Sequence, residues 1–167
     1  MSQLSVRPFE AGDAPALTEI LNAIIAAGGT TANEQPFTPD RLRAHYLDGP
    51  TVLCCHTVLE GDEPVGFQVV KAIPDLPANW GDIASFTRRD PPVRGAGTLL
   101  FAATVARAKA LGLIAINATI RADNVPGLGY YSKIGFVDRT RIEGAPLSDG
   151  TRVDRVQKTY LVPDPRA

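Results

Sequence analysis

Val93-Arg94-Gly95-Ala96-Gly97-Thr98-Leu99-Leu100-Phe101 joins a strand-like run to an alanine-rich helical segment. Two glycines there leave backbone amides unencumbered at a helix start. Free N–H groups and the positive end of the helix dipole make such a terminus a site for an anion, a phosphate above all. On the N-terminal side, Asp82 to Thr87 reads as a strand, followed by Arg88-Arg89-Asp90-Pro91-Pro92. On the C-terminal side, the helix from Gly97 to about Leu111 carries only Arg107 and Lys109 as charges, so most of its circumference is expected to be buried. Gly112 closes it, and Leu113 to Arg121 is apolar enough for a central strand.

Further out, Leu4 to Phe9 alternates as a short strand. Asp13 is placed to cap a helix in which Leu17, Ile20, Leu21, Ile24 and Ile25 recur at helical spacing, and Gly28-Gly29 stops it. Thr30 to Phe37 is a polar loop, and Thr38-Pro39-Asp40 caps a second helix ending near Leu47. Thr51 to Leu59 and Val65 to Ile73 form a hairpin about Glu60–Pro64. Asn124 opens a short helix to about Ile134; strands follow near Phe136–Ile142 and Arg152–Leu161, and Pro163 and Pro165 mark a frayed tail. The order β-α-α-β-β-β-α-β-α-β-β predicts an α/β (α+β) fold, one mixed sheet flanked by helices.

Length and composition narrow the function. A chain of 167 residues, 44% hydrophobic, is expected to make a single domain over 1–167. With 17 basic and 18 acidic residues there is no global field for nucleic acid, so an anion site must be local. No run approaches the roughly 20 apolar residues of a membrane span. Met1 to Ser5 carries neither a basic leader nor an apolar run, so a cytoplasmic location is expected. Cys54 and Cys55 are neighbours on a strand and point to opposite faces, which speaks against a disulfide. With His45 and His56 they complete no metal cluster, so no metal is expected.

Three phosphate sites compete for the glycine turn. The P-loop fails, because no Gly-Lys-Ser/Thr follows. The dinucleotide fingerprint lacks its third glycine, with Leu100 in that place, and no acid ends the next strand. The third is the pyrophosphate loop of an acyl-coenzyme A site. Here the sequence resembles the GNAT acyltransferase superfamily. Its motif has Gln or Arg, two residues, Gly, any residue, Gly or Ala, two residues and an apolar pair. Gly95, Gly97, Leu100 and Phe101 match, whereas the Gln/Arg position is Pro92 and Arg94 is displaced by two. Arg88, Arg89 or Arg94 is left to supply the local charge. Asn124-Val125-Pro126-Gly127-Leu128-Gly129-Tyr130-Tyr131-Ser132-Lys133-Ile134-Gly135-Phe136 resembles the later family motif in every slot, with Gly127 as the small residue and Tyr130 as the apolar one.

The resemblance implies a mostly antiparallel sheet whose two central strands, Asp82–Thr87 and Leu113–Arg121, splay apart around the pantetheine arm of acetyl-CoA. Coenzyme-binding residues carried over on the motifs are Phe86, Thr87, Arg94, Gly95, Ala96, Gly97, Thr98, Asn124 and Lys133. Backbone amides of the first strand would polarise the thioester, and the amine would attack directly without a covalent enzyme intermediate. Tyr131 stands at the family's acid position, where a phenol of ordinary pKa about 10 can protonate a departing thiolate. A core aromatic is the other reading. Asn124 would bind the pantetheine arm, cap the helix, or both. Lys133 is either near a coenzyme phosphate or an exposed helix lysine, and Tyr130 is read as packing. Asp82 and Glu34 are the candidate bases, each alternatively a solvated carboxylate.

Glu34-Gln35-Pro36 followed by Thr38-Pro39 looks like the phosphinothricin and amino-acid acetyltransferase branch. That likeness implies acetyl transfer to a primary amine of a small molecule, with a protein N-terminus or lysine as alternative acceptor. A homodimer is expected from the family alone. The rival from another class is a catalytically silent acyl-coenzyme A sensor, which Pro92 favours and the pairing of Tyr131 with Asn124 opposes.

Overall fold

The computed structural model describes residues 3–164. Among them run β1 (Leu4–Pro8), α1 (Ala14–Ala27), α2 (Pro39–Tyr46), β2 (Val52–Glu60), β3 (Glu63–Lys71), β4 (Trp80–Thr87), α3 (Ala96–Ala110), β5 (Ala115–Arg121), α4 (Val125–Lys133), β6 (Val137–Pro146) and β7 (Arg152–Leu161). This is the predicted order. Met1, Ser2 and Pro165 of the expected tail lie outside the described residues.

The strands form one sheet, β1-β2-β3-β4-β5-β7-β6. Every neighbouring pair is antiparallel except β4 and β5, which the α3 crossover makes parallel. That parallel pair is short: Trp80 faces Ala115, Gly81 faces Ile116, Asp82 faces Asn117, and there it ends. Beyond this point β4 keeps its pairing with β3 as far as Thr87, and β5 keeps its pairing with β7 as far as Arg121. Each strand is held by its outer neighbour while the inner edges part. The expected splay is a wedge whose apex is Asp82 and Asn117.

Helices cover both faces. On one, Leu17, Leu21 and Ile24 of α1 and Leu42 and Tyr46 of α2 bury against Phe67, Val69 and Phe86. On the other, Phe101 and Ala108 of α3 and Tyr131 of α4 bury against Val70, Ile83, Ile116 and Ile120. A third cluster, Ala96 and Leu100 against Val58 and Val65, pins the start of α3 to the sheet. Leu100 is fully buried, so truncation to alanine there costs about 2–5 kcal/mol and loosens the turn before it. Cys55 belongs to the first face and Cys54 packs on the second, as strand alternation requires. Burial pushes the Cys54 thiol up to about 11 and Cys55 higher still, so neither supplies a thiolate at neutral pH.

Two local expectations are corrected. α3 buries one stripe, Ala96, Leu100, Phe101, Thr104 and Ala108, while Ala102, Ala106, Arg107 and Ala110 are exposed. Alanine is small enough for either environment, so a lack of charge does not measure burial. Asp13 stands at the N-cap position of α1, but its side chain makes no capping hydrogen bond. Its buried carboxylate takes both prongs of Arg7, each at 2.8 Å, with the Glu10 amide at 2.9 Å and the Thr57 hydroxyl at 2.8 Å. Thr38 does cap α2, accepting from the Arg41 amide at 3.2 Å.

Candidate active site

The glycine turn stands at one lip of the wedge. Gly95 is the N-cap of α3 with φ +85°, a left-handed conformation that a side chain would strain. The first intrahelical bond runs from Leu99 N to Gly95 O, so the amides of Gly97 and Thr98 precede the ladder and have no partner among the described residues. Of the three arginines nearby, Arg88 pairs with Glu60 at 3.3 Å and Glu63 at 3.8 Å, and Arg89 donates to Thr30 Oγ1 at 2.7 Å. Arg94 alone is exposed without a partner among the described residues, beside the free amides. Ala96 is fully buried under the turn, and Thr98 is exposed.

Strand alternation decides which backbone groups face the wedge. Arg88 N bonds Val65 O at 2.8 Å, and Phe86 is paired with Phe67, so the even positions of β4 turn to β3. Ile83, Ser85 and Thr87 turn the other way. On β5, Ile114 O accepts from Val162 N at 3.0 Å, which commits even positions to β7 and turns Asn117 and Thr119 inward. Two strand edges therefore confront each other too far apart to pair, a slot for an extended chain bearing amides. Phe86 contributes its ring to the α1/α2 core, 5.1 Å from Phe67, while its amide belongs to the β3 ladder.

Tyr131 projects from α4 to Ser85 of β4, and Tyr130 to Gln68 of β3 and the first turn of α3. Tyr131 is buried, with its hydroxyl 2.9 Å from Ser85 Oγ. Burial raises its pKa strongly, and the Ser85 contact opposes that rise. Tyr130 is more than packing: it donates to Gly97 O at 2.8 Å and accepts from Gln68 Nε2 at 3.1 Å. It ties α4 to the first turn of α3. Asn124 caps α4, accepting from Gly127 N at 3.0 Å, and its amide donates to Thr30 O at 3.1 Å. Lys133 is exposed on α4.

Asp82 occupies the apex. Its Oδ1 accepts from Asn117 Nδ2 at 2.8 Å, and Asn117 in turn accepts from Arg139 at 3.0 Å. Burial raises the Asp82 pKa above the usual carboxylate range, while Asn117 and Lys71 pull it down. Tyr131 meets β4 at Ser85, on the same strand as Asp82, and the Asp82 charge adds a little to the rise in the Tyr131 pKa. Glu34 stands apart from them. It is exposed and grips the β6–β7 turn, accepting from Ser148 N at 3.0 Å and Ser148 Oγ at 2.6 Å. The loop between α1 and α2 is thus fastened at Thr30 to both lips of the wedge and at Glu34 to the β6–β7 turn.

Gln68, Ser85 and Asn117 are not singled out by sequence reasoning. The signal available is a polar residue interrupting an apolar strand, as Asn117 does between Ile116 and Ala118 and Gln68 does between Phe67 and Val69; both are fully buried. Buried His56 has its pKa lowered by burial and nearby Arg107, and it lies away from the wedge. Among the described residues no group of three or more His, Cys, Asp and Glu could hold a metal, and no helix is long and apolar enough to cross a membrane.

Known structures share this fold. A GNAT superfamily phosphinothricin acetyltransferase from Sinorhizobium meliloti, solved with AcCoA, superposes with a TM-score of 0.83 at 17% identity, covering 100% of this chain and 92% of that one. A GCN5-related N-acetyltransferase from Kribbella flavida gives 0.79 at 20% identity over 95% and 97%. The ribosomal-protein-alanine N-acetyltransferase from Brucella melitensis gives 0.81 at 16% identity over 94% and 99%. At such identities the likeness is one of fold. No curated protein matches in sequence. The segment from residue 17 to 136, which contains the wedge, its glycine turn and α4, is matched by the acetyltransferase (GNAT) family, and the chain belongs to that family.

Proposed function

We propose that this chain is one catalytic domain that moves an acetyl group from acetyl-CoA to the primary amine of a small molecule, an amino acid or analogue, by direct attack in a ternary complex. The observation that carries the reading is the wedge beyond Asp82 and Asn117, with a phosphate cradle at its lip and a buried phenol on its wall. Acetyl-CoA fits what the chain offers. Free amides at Gly97 and Thr98, the helix dipole and the Arg94 charge suit a pyrophosphate. The inward edges of Ser85, Thr87 and Thr119 suit an extended arm bearing amides.

The coenzyme supplies an activated acyl group as a thioester. In this reading the amides of β4 that face the wedge polarise its carbonyl, a task that strand alternation gives to Ser85 and Thr87 rather than Phe86. Asp82 draws a proton from the incoming ammonium, directly or through water, and its raised pKa brings it nearer to that work. Tyr131 is the acid. Asn124 holds the coenzyme arm while capping α4, and Lys133 contributes at most an outlying charge. The clasp between Glu34 and Ser148 bounds the acceptor side and supports a small acceptor over an extended protein chain. A cytoplasmic location suits the free cysteines, and a homodimer is carried over from the family.

The test is thiol release from acetyl-CoA across free amino acids, polyamines and peptides. Turnover with a small amine is expected; coenzyme binding without release for any amine would establish the silent sensor instead. Tyr131→Phe and Asp82→Asn should each lower kcat by about 10²-fold or more with coenzyme affinity nearly unchanged.

A further inference from the structure

A buried chain of polar side chains runs behind Tyr131, and the direction of its bonds can be worked out as far as Ser85. Thr104 Oγ1 donates to Gln68 Oε1 at 2.6 Å, and Gln68 Nε2 reaches both Ser85 Oγ at 2.8 Å and Tyr130 Oη at 3.1 Å. Ser85 Oγ lies 2.9 Å from Tyr131 Oη, where either atom could be the donor. Geometry at that last pair is silent, but the other end of the chain is not. The Gly97 carbonyl can only accept, so the bond at 2.8 Å uses the one proton of Tyr130. Tyr130 must then accept from Gln68, which turns the NH₂ of the amide toward Tyr130 and Ser85 and its oxygen toward Thr104. A flipped amide would leave Tyr130 and Gln68 Oε1 facing each other as two acceptors. Ser85 accordingly accepts from Gln68 and keeps its own proton to give, with Tyr131 Oη 2.9 Å away.

We propose that Gln68 and Ser85 are positioning residues that make Tyr131 a hydrogen-bond acceptor within the protein and so leave its phenolic proton for the cleft. The inference rests on Tyr131 being the acid. In the step, the Tyr131 O–H bond breaks, its proton forms an S–H bond on the departing thiolate, and the electron pair stays on the phenolate oxygen. Ser85 already donates to that oxygen, so the charge develops against a hydrogen bond in place beforehand. Solvent later returns the proton. Tyr130, which both accepts and donates, has no proton to give; this separates the two adjacent tyrosines by chemistry rather than by exposure.

Raman spectra of the free protein provide a readout independent of turnover, since the tyrosine Fermi doublet distinguishes a phenol that accepts from one that donates. The wild-type spectrum minus that of Tyr131→Phe should show an acceptor doublet; a donor doublet would overturn the proposal. In steady state, Ser85→Ala should lower kcat about tenfold with the KM for acetyl-CoA within about twofold, and Ser85→Thr, which keeps the hydroxyl, should recover most of the loss. The double variant Ser85→Ala/Tyr131→Phe should be no slower than Tyr131→Phe alone, because Ser85 acts only through Tyr131. Losses that multiply would overturn the relay while leaving Tyr131 as the acid. Unchanged kcat in Tyr131→Phe would remove the acid itself, a separate failure.

Discussion

Gly97→Ala tests whether the glycine serves the ligand alone or the packing of two helices. Gly97 lies in the first turn of α3 with no positive φ, so its backbone tolerates a side chain. An added Cβ would stand 2.6 Å from Tyr130 Cε1, 3.1 Å from Cζ and 3.2 Å from the hydroxyl. Carbon atoms in contact sit at about 3.5–4.0 Å, so the ring must retreat by roughly 1 Å. That retreat lengthens the bond from Tyr130 to Gly97 O and unsettles the one from Gln68. Overpacking of this kind costs about 1–3 kcal/mol and the lost hydrogen bond about 1 kcal/mol. Against this, alanine gains up to about 1 kcal/mol over glycine in a helix. The net is a loss of about 1–3 kcal/mol, or roughly 3–10 °C in Tm for a chain of this length.

The sign is the informative part. Thermal unfolding followed by circular dichroism should show Gly97→Ala below wild type. In a Tyr130→Ala background, where the ring is gone, the same substitution should be neutral or stabilising. A rise in Tm in the wild-type background, or an equal fall in both backgrounds, would refute the steric argument. The family motif admits Gly or Ala at this position, and the reasoning explains the choice here: Tyr130 fills a slot that the motif gives to an apolar residue, and its hydroxyl end needs the space that alanine would take.

Asp13→Asn should cost about 2–4 kcal/mol in urea unfolding at neutral pH, because Arg7 loses its carboxylate partner. Burial works against the Asp13 charge, but Arg7, the Glu10 amide and Thr57 outweigh it and hold the pKa below the ordinary carboxylate value. Its contribution is therefore present above about pH 4 and lost as pH falls through the lowered value, and the variant should show a flatter acid limb in stability against pH. Arg94→Ala should weaken acetyl-CoA binding about five- to tenfold at low salt, less as salt rises, while Arg88→Ala, which breaks pairs with Glu60 and Glu63, should leave coenzyme affinity alone; calorimetric titration separates them. Glu34→Gln should raise the acceptor KM several-fold without altering the pH dependence of kcat, since its carboxylate grips Ser148 rather than the reacting groups; a lost acid limb would make Glu34 the base.

How much of this was legible in the sequence depends on whether the cause is local. Element order and turn chemistry are local, and Leu17, Leu21 and Ile24, the Thr38 cap and the opposed Cys54 and Cys55 stand where periodicity and alternation put them. Asp13 reads locally as a cap, yet Arg7 and Thr57 converge on it from two strands and win because three hydrogen bonds to a buried charge outweigh one at a helix end. The wedge is less local still. Nothing within Trp80–Thr87 or Ala115–Arg121 states that their pairing ends after three residues, because the parting is imposed by β3 and β7 holding the outer edges. Only the two coenzyme motifs announced it, by resemblance. Least legible is the direction of the hydrogen bonds behind Tyr131. It starts from a single backbone carbonyl at Gly97, 33 residues before the tyrosine that reads it, which commits the one proton of Tyr130 and turns the Gln68 amide toward Ser85.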